Sequence, residues 1–127
     1  MHSFELPILV VPADIDALGH VNNVVYLRWM QDVAGAHWEA AAALDLRDRV
    51  SWVVVRHEID YKAPAFDGER LTARTWVGEP SGATWERFIE IRRGDQVLAR
   101  GRSLYAALDR VTGRPRRVDG PLREPFR

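Results

Sequence analysis

The feature that most constrains this chain is one long helical repeat followed by segments with the two-residue period of β-strands. Within residues 22–44, apolar residues recur every three or four positions, as on one face of an α-helix: Leu27, Met30, Ala34, Trp38 and Ala41 or Ala42. Alternation of apolar and polar residues then marks four strands, at 51–61, 69–77, 84–92 and 96–109, and a shorter strand is predicted at 6–11. One helix must therefore share a core with about five strands.

The predicted strands are joined by short turns, at 64–68, 79–82 and 93–95, each of which contains Gly or Pro. Short turns join antiparallel neighbours, so we predict an α+β fold in which an antiparallel sheet of about five strands wraps around one long helix. The chain has 127 residues, the size of one ordinary domain, and we assign 1–127 to a single domain.

Four details of this prediction concern individual residues. Gly35 lies inside the helix, where glycine costs up to about 1 kcal/mol relative to alanine, so we expect a neighbour to pack very close to it. Gly101 predicts a bulge in the last strand. Residues 45–49 are predicted to be a polar connection. One face of the 51–61 strand is predicted to carry Val53, Val55, His57, Ile59 and Tyr61, with His57 and Tyr61 facing inward.

Composition excludes several classes of function. The chain has no cysteine, which excludes disulfides and thiolate metal sites. Its formal net charge is zero, which argues against nucleic acid as the main partner. No apolar stretch approaches the ~18 residues of a membrane span, and the N-terminus lacks the pattern of a signal peptide, so we expect a cytoplasmic protein that does not enter membranes. Nucleophile-elbow and phosphate-loop motifs are missing, and the four histidines lack metal-ligand spacing, so serine-hydrolase, nucleotide-dependent and metal-dependent functions are disfavoured.

Charge is nevertheless uneven along the chain. Residues 92–127 contain ten arginines and four acidic residues, a net charge of +6. This end is either a solvated surface or an anion site, for example for the phosphates of a phosphorylated carrier, because the arginine fork pairs well with phosphate.

The residues most suggestive of chemistry lie between the first strand and the helix. Asp14, Asp16, His20, Asn22 and Asn23 fall within ten positions, and Asn22 or Asn23 is predicted to cap the helix. The free N–H groups of a helix start can polarise a carbonyl, and a carboxylate beside them can attack it or activate water. The alternative is a capping loop in which the two aspartates only satisfy turn amides.

This stretch, D-I-D-A-L-G-H-V-N-N-V-V-Y-L-R-W at 14–29, resembles the signature of hotdog-fold thioesterases of the 4-hydroxybenzoyl-CoA thioesterase family, in the acyl-CoA thioester hydrolase branch. The resemblance covers most of the chain, since 57–77 and 98–109 also look like strands of that family. It implies the hotdog fold and cofactor-free hydrolysis of an acyl-CoA or acyl-carrier-protein thioester to a free acid and a thiol. It also implies a homodimer, possibly a tetramer, with the site between subunits.

Carried over by position, the resemblance makes Asp16 the catalytic carboxylate, as nucleophile or general base. The backbone N–H of Asn23 matches the group that polarises the thioester carbonyl, Gly19 lets the loop approach the substrate, and His20 matches a histidine of this branch. Related plant acyl-carrier-protein thioesterases have an asparagine two residues after the acid, where this chain has Leu18, so a mechanism assisted by that side chain does not transfer.

Three further residues are candidates for the acyl pocket. Tyr26 lies one turn into the helix as a core or pocket-lining residue, and Tyr61 and Pro64 fall where the family's partner subunit closes the site. Two rival functions stay open: a non-catalytic module that binds acyl thioesters, and a hotdog-fold enoyl hydratase or dehydratase. The second fits less well, because His20 and Asp16 share one loop rather than a paired acid–base site. The acyl group and the choice of carrier are undetermined.

Overall fold

The computed structural model describes residues 2–127 as one antiparallel sheet with one long helix. In chain order the elements are β1 (Ser3–Leu9), α1 (Asn23–Ala41), α2 (Leu44–Arg49), β2 (Val50–Tyr61), β3 (Arg70–Ser81), β4 (Thr84–Arg93), β5 (Gln96–Asp109) and α3 (Gly120–Arg123), with 3₁₀ turns at Pro12–Asp14 and Glu124–Phe126. The predicted α+β class and five-stranded sheet are confirmed.

The five strands pair in the order β1-β3-β4-β5-β2, and every pairing is antiparallel. β1 and β2 are therefore the two edges, which suits Pro7 in β1 because proline cannot donate to a second neighbour. β1 begins earlier than the predicted 6–11, and β3 runs into the predicted 79–82 turn, reaching Ser81 through irregular pairing between Val77 and Pro80.

The helix α1 packs its buried face against β1, β3 and β4 to form the main core. That face consists of Tyr26, Trp29, Met30, Val33, Ala34 and His37. The predicted stripe shares Met30 and Ala34 with it, and its last position, predicted as Ala41 or Ala42, is buried at Ala42. Leu27 and Trp38 are half-buried against the two cores. The stripe missed the histidine and the large aromatics of the buried face, because the apolar spacing alone did not select their positions.

The prediction of a polar connection at 45–49 was wrong. Residues 44–49 form α2, whose Leu46 is buried in a second core beside the end of α1. This core also contains Val50 and Trp85 and is closed by Leu122 and Phe126 from the C-terminal segment. One buried leucine among charged residues leaves no periodic signal for a helix this short.

The prediction for the faces of β2 was also wrong at its first half. The pairing of β2 with β5 shifts between Val54 and Arg56, a β-bulge that reverses the alternation of side chains. Val53 and Val55 are consequently exposed, at 46% and 58%, whereas His57 and Ile59 are half-buried on the inner face. Tyr61, which was predicted to face inward, is 44% exposed at the end of the strand. No glycine or proline occurs at this point of the sequence, so the bulge could not be predicted from it.

The two glycine predictions also fail. A Cβ built on Gly35 would meet nothing within 4 Å, so no neighbour packs against that turn of α1. Gly101 lies in regular pairing with Ile59 and Ile89, without a bulge. It is small because Met30 of α1 presses on the sheet there: a Cβ would lie 2.5 Å from the Met30 methyl carbon.

Candidate active site

The loop between β1 and α1 is a tight turn held together by its own backbone. Ile15 and Val21 form an isolated antiparallel bridge. Inside it, the Asp16 N–H donates to the His20 carbonyl (3.0 Å) and the Gly19 N–H donates to the Asp16 carbonyl (3.1 Å). Gly19 has φ +87°, a left-handed conformation that favours glycine, so the turn depends on this residue. The loop therefore fixes the backbone of Asp16.

The Asp16 side chain keeps part of its carboxylate unused. It is 24% exposed, and its Oδ1 accepts the backbone N–H of Leu18 (2.9 Å). The Nδ1 of His20 lies 3.9 Å from the same oxygen and donates to the Val21 carbonyl (3.2 Å). Within residues 2–127, Oδ2 of Asp16 has no hydrogen-bond donor. One carboxylate oxygen is thus oriented by the loop, and the other meets no donor in this part of the chain.

The start of α1 lies seven residues after Asp16 and leaves one N–H free. Asn22 is the N-cap, and its side-chain oxygen accepts the Val24 N–H (3.0 Å), in agreement with the predicted cap. The Asn22 N–H itself donates to the Asp14 carbonyl (2.9 Å). No acceptor for the Asn23 N–H occurs in the part of the chain that the structure describes. This donor lies at the positive end of the helix dipole, where negative charge is stabilised.

Asp14, the other acid of the motif, is fully used by the fold. Its buried carboxylate accepts the backbone N–H of Val11 (3.1 Å) and pairs with the Nη2 of Arg28 (2.9 Å). These bonds fasten the loop to the second turn of α1, which agrees with a structural role.

The aromatic candidates meet at the same helix start. The Tyr61 hydroxyl donates to the Asn23 carbonyl (2.9 Å), and its ring packs edge-to-face on Tyr26 with centroids 5.3 Å apart. Tyr26 is buried, and desolvation raises the pKa of both hydroxyls. The loop that contains Pro64 is attached to the Asp16 loop, since the Ala65 carbonyl accepts the Val21 N–H (2.9 Å). Pro64 itself is exposed.

The surface around these residues is open and apolar in one protomer. Four large apolar side chains there are exposed: Leu18, Val24, Tyr61 and Phe66. None of the predicted site residues lines the large cavity of about 610 Å³, which lies farther along α1. A single protomer thus has, on a surface with several exposed apolar side chains, a half-buried carboxylate and an N–H that meets no acceptor among residues 2–127.

The sequence analysis missed the residues of that cavity. Arg87 lies on its wall, nine-tenths buried, and donates to His37 of α1. A signal was present, because Arg87 occupies the apolar face of the 84–92 strand, between Trp85 and Ile89.

The basic C-terminal end is largely neutralised. Seven of its ten arginines lie within 4 Å of a carboxylate: Arg92, Arg93, Arg100, Arg102, Arg116, Arg123 and Arg127. This pattern is typical of a paired, solvated surface. Across residues 2–127, no helix is long and apolar enough to cross a membrane, and no three His, Asp or Glu side chains are grouped to hold a metal ion.

Comparisons with known proteins agree with this architecture. The family model described as the thioesterase-like superfamily matches residues 10–126. A comparison with curated proteins finds no match. Three solved structures share the fold. A 1,4-dihydroxy-2-naphthoyl-CoA thioesterase from Synechocystis has 20% identity and a TM-score of 0.83, with 98% of this chain and 95% of that chain covered. A probable thioesterase from Escherichia coli has 22% identity and a TM-score of 0.82 (98% and 96% covered), and the dynemicin thioesterase has 21% identity and a TM-score of 0.86 (98% and 94% covered).

Proposed function

Because this chain belongs to the thioesterase-like superfamily and is a thioester hydrolase, we propose that it cleaves acyl-CoA or acyl-carrier-protein thioesters at the Asp16 loop. The products are a free acid and a thiol. The observation that carries this proposal concerns two groups seven residues apart: among residues 2–127, one carboxylate oxygen of Asp16 has no donor, and the N–H of Asn23 at the helix start has no acceptor.

In the proposed reaction the Asn23 N–H donates to the thioester carbonyl oxygen and stabilises the negative charge that forms on it. Asp16 then acts by one of two routes. As a general base it takes a proton from water while the water oxygen bonds to the carbonyl carbon; as a nucleophile it forms an anhydride that water cleaves. In the general-base route the C–S bond breaks and the thiolate takes the proton that Asp16 removed from water. In the nucleophilic route the C–S bond breaks as the anhydride forms; water then cleaves the anhydride to the free acid and Asp16, and the second proton of that water goes to the thiolate. In this proposal His20, whose Nδ1 lies 3.9 Å from Oδ1 of Asp16, is a polar group of the site beside that carboxylate.

A second copy of the chain completes the site in this proposal. β2 is an open sheet edge that exposes Val53 and Val55, and such an edge pairs readily with another strand. Tyr61, at the end of the same strand, contacts the start of α1, so pairing of two β2 edges would bring a partner close to the uncovered active face. Gly19, Tyr26, Tyr61 and Pro64 then contribute to the substrate pocket. We expect a dimer, with a dimer of dimers as the larger form.

Replacing Val55 with lysine tests this dimer. Pairing of two β2 edges would bring the added charges of the two copies onto one interface, where they repel, so we expect the protein to become monomeric and to lose about tenfold or more in kcat/KM. Sedimentation measures the first effect and thiol release the second. The control is Val111→Lys, the same change at a residue that is 91% exposed after β5. A Val55→Lys protein that stays dimeric would refute pairing through β2.

The proposed activity is tested by thiol release from a panel of aromatic, short-chain and long-chain acyl-CoAs and one acyl-carrier-protein thioester. We expect kcat/KM of about 10⁴ M⁻¹s⁻¹ or more for at least one class. Binding without thiol release would favour the non-catalytic module. Loss of enoyl absorbance without thiol release, with an enoyl-CoA as substrate, would favour the hydratase.

A further inference from the structure

The cavity of about 610 Å³ lies between the second half of α1, α2 and the inner face of the sheet. Its walls are rich in aromatic side chains, contributed by Trp38, Trp52, Trp85, Tyr105 and Phe126. Gly35 also borders it, and the missing side chain there widens the space beside α1. The volume is that of a site for a small molecule.

Arg87 places a buried positive charge on this aromatic wall. The residue is 7% exposed, and its Nη1 donates to Nδ1 of His37 (2.9 Å) and to Oγ1 of Thr75 (3.0 Å). The guanidinium has five N–H groups, and its Nε and Nη2 meet no acceptor within residues 2–127. Several donors of a buried cation are therefore unused.

No negative charge balances Arg87 in the described part of the chain, where no carboxylate lies within 4 Å of it. Its two partners are neutral. Burial lowers the pKa of His37 most, and the positive charge of Arg87 lowers it further, to about 3. His37 is therefore a neutral ring that accepts the hydrogen bond from Arg87. The Thr75 hydroxyl, which accepts from Arg87, donates its own hydrogen bond to the Phe88 carbonyl (2.9 Å). Burial also lowers the pKa of Arg87, to about 10, which leaves it charged at neutral pH.

The acidic residues that border the cavity do not fill this role. Glu86 is bonded to Nε of Arg102 (2.9 Å), and neighbouring side chains of a strand point to opposite faces of the sheet, so it lies across the sheet from Arg87. Glu39 and Asp48 are exposed. A second arginine on the wall, Arg47, has a buried Nε that finds no acceptor among the described residues. The inner wall is therefore apolar with an excess of positive donors.

We propose that this cavity binds an aromatic or aliphatic small molecule that carries one carboxylate, whose oxygens accept the unused N–H groups of Arg87. Burial of a guanidinium without a counter-charge is costly, and a planar carboxylate supplies both the charge and a matching pair of acceptors. The carboxylate can belong to the far end of an acyl group or to a free carboxylic acid. The site does not depend on the chemistry proposed for Asp16.

The test is direct binding of 3-phenylpropionate and of its amide to the purified wild-type oligomer, followed by tryptophan fluorescence and calorimetry. Three tryptophans line the cavity, so occupancy changes their emission. We expect the acid to bind about ten- to a hundredfold more tightly than the amide. In Arg87→Met, which keeps the volume of the side chain, this preference falls to near unity. Arg87→Lys, which keeps the charge but loses the fork, retains part of it.

The matched control is Arg100→Met, which removes an arginine paired with Glu90 on the other face of the sheet and leaves the preference unchanged. Equal affinity of the wild type for acid and amide overturns the proposal, whatever the Met variant does. Failure of both probes to bind also overturns the proposal, and would indicate that a partner subunit fills the cavity.

The source of the carboxylate follows from inhibition of thiol release. Competition between 3-phenylpropionate and an acyl-CoA supports an acyl group that reaches Arg87, and non-competitive inhibition supports a separate acid. Acid-selective binding that persists in Asp16→Asn separates this site from the hydrolytic one, so either assignment can fail alone.

Discussion

Asp16→Asn is expected to lower kcat for thioester hydrolysis about a thousandfold, with KM changed by no more than about threefold. A factor of a thousand corresponds to about 4 kcal/mol of transition-state stabilisation, typical of a lost base or nucleophile. Asparagine still accepts the Leu18 N–H that orients position 16, so the loop keeps its shape. The amide, however, can neither take a proton from water nor attack a carbonyl. Thiol release with the best acyl-CoA of the panel measures the effect.

The control for this variant is Asp95→Asn, the same change at an exposed turn between β4 and β5. We expect its kcat to equal that of the wild type. An Asp16→Asn protein with more than about a tenth of wild-type kcat would show that another group performs the chemistry.

Asn23→Pro is expected to lower kcat about a hundredfold with the fold intact. Proline removes the backbone N–H that we assign to the thioester carbonyl, and loss of one such donor typically costs two to three orders of magnitude. Position 23 is the first residue of α1, where proline is favoured because that N–H has no partner within the helix. Asn22 already has φ −61° and ψ 136°, an extended conformation that a following proline accepts.

Asn23→Ala is the matched control, because it changes the side chain and keeps the N–H. We expect nearly wild-type kcat from it, and unchanged circular dichroism for both variants. Equal activity of the proline and alanine variants would remove Asn23 from the mechanism. If the proline variant loses helical signal, the test uses the wild-type protein instead. It compares the chemical shift of the Asn23 N–H with and without a bound, non-hydrolysable thioester analogue.

Local sequence patterns predicted the frame of this protein well. Turn residues and strict alternation located β3, β4 and β5, and the asparagine pair located the start of α1, because these signals depend on neighbours in the chain. The failures have non-local causes. The bulge near Val54 comes from the pairing of β2 with β5. Gly101 must be small because the side chain of Met30, about seventy positions away in sequence, packs directly against it.

The candidate site divides in the same way. Asp16, Gly19, His20 and Asn23 lie within eight residues, so the motif alone brought them together. The contact of Tyr61 with Asn23 depends on how β2 crosses the helix start, and it was not predicted: the resemblance gave Tyr61 only as a residue near the site. The cavity around Arg87 draws on α1, α2 and the four strands β2 to β5, and no linear pattern could assemble it. A charged residue on an apolar strand face was the one available sign.

The most direct test of the proposed chemistry is a crystal structure of the Asp16→Asn dimer with an intact acyl-CoA. We predict a thioester carbonyl oxygen about 3 Å from the Asn23 nitrogen, with the position-16 side chain within about 3.5 Å of the carbonyl carbon or of a water beside it. A thioester bound with its carbonyl away from the start of α1 would contradict the assignment of Asp16 and Asn23.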